Sequence, residues 1–146
     1  MRLTVMSDYS LRVLMYLAVE PGRRATIQEI ATAYQISENH LMKVVHNLAQ
    51  FGFVATVRGR GGGLTLGKPA AQITIGAVLR ATEDDFALVE CFGSADTCRI
   101  TSACRLKRVL QQALRAYFDV LDRSTLADLV AKPKALADLL DIREQL

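Results

Sequence analysis

Two short apolar runs, at 53–57 and 64–66, stand either side of Arg58-Gly59-Arg60-Gly61-Gly62-Gly63. Strand-forming residues around a glycine-rich tip read as a β-hairpin. No strand–loop–helix unit surrounds the glycines, so they do not form a nucleotide-phosphate loop. The hairpin follows three helical segments, and in that position a tip of two arginines and four glycines has the make-up of a wing. Glycine lets backbone approach a duplex closely, and arginine favours the narrow, electronegative minor groove. A flexible hairpin with incidental arginines is the plainer reading, and the helices before it weigh against it. The expected fold is therefore mainly α with a small β-hairpin, a winged helix-turn-helix extended by a long dimerisation helix.

The preceding helices are legible from their spacing. Leu11, Leu14, Met15 and Ala18, widened by Val13 and Leu17, predict a helix over 7–20 that Pro21-Gly22 ends. Thr26 followed by Glu29 is a capping-box signature for a short helix reaching about Ala33. After a break at Tyr34-Gln35-Ile36, Ser37 is a good N-cap for a third helix whose inward positions are Leu41, Val44, Val45 and Leu48. Its other face carries Asn39, Lys43, His46 and Gln50, with His40 on the flank. These groups suit base edges and phosphate, and a helix–turn–helix places such a face in the major groove. The competing reading is an ordinary solvated face. The expected DNA contacts are Ser37, Asn39, His40, Lys43 and His46 from the third helix, and Arg58, Gly59 and Arg60 from the wing.

Charge agrees with that division. Residues 1–68 hold eight Lys/Arg against four Asp/Glu, and residues 69–146 hold ten against eleven. The basic excess lies in the half expected to meet phosphate. MRLTVMSDYS lacks the apolar core of an export signal and no run is long enough to span a bilayer, so a cytoplasmic protein with reduced thiols is expected.

After the wing, Thr74 caps a helix over 75–82, and Glu83-Asp84-Asp85 leads into a polar loop. From 103 or 104 to about 122, Leu106, Val109, Leu110, Ala113, Leu114, Tyr117, Phe118 and Leu121 form a stripe over a long helix. A small domain offers little to cover such a stripe, so a partner helix from a second copy is expected, against the alternative of packing on the first helix and 125–130. Ser124 or Thr125 recaps the chain for 126–130, Lys132-Pro133-Lys134 breaks it, and Leu136, Leu139 and Leu140 form one more turn or a frayed tail. The expected division is 1–82 for DNA binding, 83–103 for the cysteine loop, and 104–146 for the dimerisation helix and tail.

Cys91, Cys98 and Cys104 are the chain's only cysteines, spaced Cys-x6-Cys-x5-Cys. Paired zinc knuckles, ferredoxin-type runs and a Cys-x-x-Cys are all absent. The spacing supports three soft ligands on a loop without choosing a metal, and three inert small hydrophobes are the alternative. Cys104 stands at a helix start beside Arg99 and Arg105, where dipole and cations favour thiolate. No resolving cysteine pair with an acid/base partner is visible, so an enzyme is not expected.

The runs TVMSDYSLRVLMYLA, ISENHLMKVVHNLAQFGFVATVRGRGGGLTLGKPA, ITIGAVLRATE and CF…CRITSACRLKRVL resemble the Rrf2 family of bacterial iron–sulfur transcription regulators, and within it the nitric-oxide-sensing repressors. The resemblance reaches from the N-terminus to about Val130. It implies a homodimer on a pseudo-palindromic operator, released when nitric oxide nitrosylates the cluster. It also implies one cluster per subunit on Cys91, Cys98 and Cys104, completed by Asp8 of the other subunit. A [4Fe-4S] cluster is implied over [2Fe-2S], because the branch regulating iron–sulfur assembly has histidine three residues after the last cysteine, where Lys107 stands here. A thiol-redox or zinc-dependent regulator without a cluster, or a regulator of iron–sulfur assembly genes, are the alternatives. Without the resemblance, Asp8 reads as a carboxylate complementing a helix dipole.

Overall fold

The computed structural model describes residues 1–142. Its centre is α1 (Val5–Val19), which starts two residues before the expected position because the Thr4 hydroxyl accepts the Ser7 amide at 3.2 Å and caps the helix. Eight of its residues are buried, including Val13, Leu14 and Leu17. Thr26 and Glu29 form the expected reciprocal capping box at α2 (Ile27–Tyr34). Gln35 then turns in the left-handed region at φ 55°, and Ser37 caps α3 (Glu38–Gln50). Leu41, Val44, Val45 and Leu48 are buried as their spacing predicts.

Strands β1 (Val54–Val57) and β2 (Gly63–Leu66) pair antiparallel, Val54 opposite Leu66 and Val57 opposite Gly63. Ala25 adds a third short edge, its amide donating to Leu64 O at 3.0 Å and the Leu64 amide to Ala25 O at 2.7 Å. The hairpin is thereby stitched to the turn between α1 and α2.

Thr74 caps α4 (Ile75–Thr82) as expected. Short 3-10 turns at Glu90–Phe92 and Thr101–Ala103 punctuate the following loop, and α5 (Arg105–Arg123) comes next. Arg80 of α4 donates to both Asp122 oxygens of α5, at 2.5 and 2.9 Å, and lies over the Phe118 ring at 4.1 Å. The Arg80–Asp122 pair occupies the space beside Gly76, where a Cβ would stand 1.9 Å from Asp122 Oδ1. No residue of α5 is buried.

The chain then returns to the first core. Thr125 and Asp128 form a second capping box at α6 (Leu126–Leu129), and Leu126 is fully buried with its amide on Ile73 O at 2.8 Å. The expected break falls between Leu129 and Pro133, and Pro133 then opens α7 (Pro133–Leu139), the further helical turn, at a position where the missing N–H costs nothing. Leu136, Ala137, Leu140 and Ile142 pack on the core around α1. Residues 125–142 thus share a core with the expected DNA-binding half, although the sequence groups them with the long helix. Among the described residues no helix is long and apolar enough to cross a membrane.

Candidate nucleic-acid interface and cysteine loop

Burial of its apolar face leaves α3 presenting Asn39, His40, Lys43, His46 and Gln50 outward, all exposed. Ser37 is exposed too, but its hydroxyl already accepts the His40 amide at 3.2 Å, so it organises the helix start. The structure adds Glu38 and Met42 to this face, Met42 being 55% exposed. The exposed-face periodicity that selected Lys43 passes through both of them. Tyr9 of α1 meets the His40 ring edge-on at 5.4 Å between centroids.

Helix α3 packs against β1, so the hairpin is carried on the same body. Arg58, Gly59 and Arg60 are all exposed at its tip. Gly59 and Gly61 adopt φ of 93° and 72°, a region closed to most side chains, which explains the glycines there. Arg24, which carried no signal in the sequence, reaches the tip and donates from Nη1 to Gly61 O at 2.8 Å.

The cysteine loop is held by short polar contacts rather than a core. Asp96 Oδ1 accepts the Cys98 amide at 3.1 Å and the Thr101 hydroxyl at 3.0 Å, and Oδ2 lies 3.8 Å from Lys107 Nζ. The Thr97 hydroxyl bonds Glu90. All three cysteines are free thiols; Cys98 is exposed and Cys91 and Cys104 are half-buried. Cys104 is the N-cap residue of α5, its side chain taking no part in the cap. Cys91 borders an open groove of about 1060 Å³ with Arg80, Phe86, Lys107, Gln111 and Phe118. Cys104 borders a smaller recess of about 410 Å³, and Lys107 and Gln111 line both.

Asp8 lies on the first turn of α1, half-exposed, and accepts Arg12 Nε at 3.2 Å and Nη2 at 3.0 Å. Within the single chain it is not drawn to the cysteines: among the described residues no group of three His, Cys, Asp or Glu stands close enough to hold a metal ion. His40 and His46 belong to α3, apart from the loop. The donor chemistry nonetheless fits a thiophilic iron centre, since three thiols are unpaired, none is fully buried, and all are carried on one segment.

Two long-range contacts join this loop to α1. The Ser7 and Thr82 hydroxyls meet at 2.7 Å in a buried site, and Glu83 Oε1 accepts the Thr4 amide at 2.8 Å and hydroxyl at 3.0 Å. Partial burial pushes the Glu83 carboxyl up, but the hydrogen bonds from the Thr4 amide and hydroxyl help hold it below its ordinary value. At the loop's other flank Phe86 packs edge-on against Phe118 of α5 at 4.6 Å.

A sequence profile of Rrf2, described as an iron-dependent transcriptional regulator, matches residues 3–132. The chain belongs to this family. It is 52% identical over 146 residues to the HTH-type transcriptional regulator NsrR of Bacillus subtilis (strain 168), covering 99% of this chain and 100% of that protein. The NsrR of Bacillus licheniformis is 50% identical over 142 residues, 96% of this chain and 99% of that one. Among solved structures, CymR (YrzC), the global cysteine regulator of B. subtilis, superposes with a TM-score of 0.72 at 26% identity, covering 90% of this chain and 97% of that one. T. potens IscR shares the fold at a TM-score of 0.73 and 24% identity, covering 100% of this chain and 94% of that one. The chain is thus a transcriptional regulator of the Rrf2/NsrR type with a winged-helix fold, and its relatives are regulators rather than enzymes.

Proposed function

We propose that this regulator is a homodimeric repressor that holds an iron–sulfur cluster and releases its operator in response to nitric oxide. The observation that carries the reading is the trio of free thiols, one exposed and two half-buried, on the segment joining the DNA-reading head to α5, in a chain half identical to NsrR. Cys91, Cys98 and Cys104 would hold the cluster, with Asp8 of the partner subunit as a hard fourth ligand on a soft centre. Lys107, three residues after Cys104, favours [4Fe-4S] over [2Fe-2S] through the family resemblance. When bound, the cluster supplies an iron centre reactive toward nitric oxide. A zinc-bearing or thiol-redox regulator would keep the DNA function and lack its colour.

The chain's own residues supply two lines of connection from the loop. Glu83–Thr4 and Thr82–Ser7 tie its start to the first turn of α1, and Phe86–Phe118 ties it to α5. From that turn, Arg12 pairs with Asp8 and lies over Tyr9 and Tyr34, while Tyr9 touches His40 on the reading helix. A change at Asp8 therefore has a packed route to α3. Moving a two-state equilibrium from 99:1 to 1:99 requires about 5.5 kcal/mol of differential stabilisation, which ligands spanning two subunits are suited to provide. On the DNA side, Asn39, His40, Lys43 and His46 would read the major groove, with Arg58 and Arg60 at the minor groove or phosphate. The uncovered stripe of α5 supports a second copy as the partner that pairs two reading heads.

Anaerobic purification with an absorption spectrum and iron and sulfide counts tests the cluster. Titration with nitric oxide at one fixed salt concentration tests the switch. A coloured protein containing sulfide, which loses operator affinity on titration, is expected. A colourless protein without sulfide would sink the cluster reading, and equal affinity of treated and untreated dimers would sink the switch.

A further inference from the structure

Arg24 is the one side chain, among the described residues, that hydrogen-bonds to the wing tip from outside the hairpin. The ladder between β1 and β2 stops at Val57 opposite Gly63, leaving residues 58–62 beyond it. Within that tip the backbone bond is from the Gly62 amide to Gly59 O at 3.0 Å. With four glycines in the run 58–63, the tip has a large conformational entropy to lose, and its two arginines repel one another. Left to itself, such a loop would present Arg58 and Arg60 over a broad range of positions.

The Arg24 guanidinium restrains it through Gly61 O at 2.8 Å. Its own placement follows from the paired amides of Ala25 and Leu64, which run the turn between α1 and α2 alongside β2. Gly63 permits that closeness: a Cβ there would lie 2.9 Å from Ala25 O and 3.2 Å from Arg24 Cβ. A hydrogen bond from a cation to a carbonyl is among the stronger neutral-acceptor bonds, so this single contact restrains a tip that has few others.

We propose that Arg24 is a positioning residue for DNA binding, acting through the wing by holding the glycine tip so that Arg58 and Arg60 reach the duplex together. The proposal rests on the wing's contact with DNA, and a double-mutant cycle separates the two claims. The probe is a fluorescent duplex enriched from random sequence by the wild-type protein, with affinity read by anisotropy at one salt concentration. Arg24→Ala alone is expected to weaken binding by about 10-fold. In the Arg58→Ala/Arg60→Ala background the same change is expected to cost less than about twofold, since there is nothing left for it to position. Arg24→Lys, which keeps the charge and one donor, should stay within about threefold of wild type. In the free protein, the Gly62 amide, which bonds Gly59 O, should exchange faster in Arg24→Ala while the amides of α1 do not. An equal loss in both backgrounds would mean an independent phosphate contact or a general loss of fold, and would overturn the proposal. So would wild-type affinity in Arg24→Ala. If Arg58→Ala/Arg60→Ala itself binds normally, the wing reading fails and the Arg24 proposal falls with it.

Discussion

Helix α1 spans fifteen residues and buries eight; α5 spans nineteen and buries none. Both carry apolar residues at helical spacing. The difference lies in what the rest of the chain brings to each. Helix α1 is packed by α3, α4, β2, α6 and α7, so its stripe is closed by its own chain. Helix α5 leans on α4 through Arg80, Asp122 and Phe118, and leaves Leu106, Val109 and Val120 at 61%, 59% and 56% exposure. Periodicity shows that a face favours burial and is silent about what buries it.

The largest expected effect tests that contrast directly. Leu14→Ala, at a fully buried site in α1, should cost about 3–4 kcal/mol in urea denaturation whatever the protein concentration. Leu106→Ala in α5 should leave the unfolding of the dilute chain within about 0.5 kcal/mol and instead weaken self-association in sedimentation. Equal costs for the two at high dilution would show that α5 is covered by its own chain after all.

Gly76→Ala probes the seam between the two regions. Its Cβ would meet the Asp122 carboxylate, so a loss of about 1–3 kcal/mol is expected. Asp122→Ala in the same chain should recover much of it. Absence of rescue would place the strain within α4 rather than at the α4–α5 contact.

Thr26→Ala removes one half of the capping box that starts α2 and should cost about 1 kcal/mol by thermal or chemical unfolding. A cap within the head should matter for stability but not for self-association, which sharpens the same contrast.

The smallest effect is one of pH. Hydrogen bonds from Arg80 hold the Asp122 carboxyl below its ordinary value, in spite of slight desolvation. A folded-state value below the unfolded one adds stability above the ordinary carboxylate range, and that stability is lost as pH falls through the depressed value. Both partners are exposed and the pair is screened, so the effect is modest. Asp122→Asn should therefore flatten the fall of the thermal midpoint between about pH 5 and 3 without moving the curve's neutral shape. An unchanged acid limb would leave Glu83, also depressed and bound to Thr4 beside α1, as the carboxylate that sets it.

The parts of the fold legible beforehand were those set by neighbours a few residues apart. Thr26 with Glu29, Ser37 and Thr74 marked helix starts, and Leu41, Val44, Val45 and Leu48 marked a buried face. Glycines at 59 and 61 marked a turn whose dihedrals few other residues tolerate. Lys132-Pro133-Lys134 marked the break after α6, and Pro133 at the first helical position opens the further turn that Leu136, Leu139 and Leu140 left as one of two readings. Arg24 with Gly61, Ser7 with Thr82 and Arg80 with Asp122 are separated by 37, 75 and 42 residues, and no local pattern announces them. The cysteine loop was visible as three soft donors; Asp8 entered only through the family resemblance, and within one chain its carboxylate is paired with Arg12.

By itself, then, the amino-acid order determined the helices, the wing, the outward polar face of α3 and the gathering of three thiols on one loop. Caps, periodicity and glycine dihedrals act over a turn or two, where the chain has few alternatives. The tertiary structure decided which stripes are closed, how the wing tip is held, and that residues 125–142 return to the head while α5 stays open. Those outcomes depend on contacts between residues far apart in the chain, where loop closure must be offset by packing that no single segment encodes.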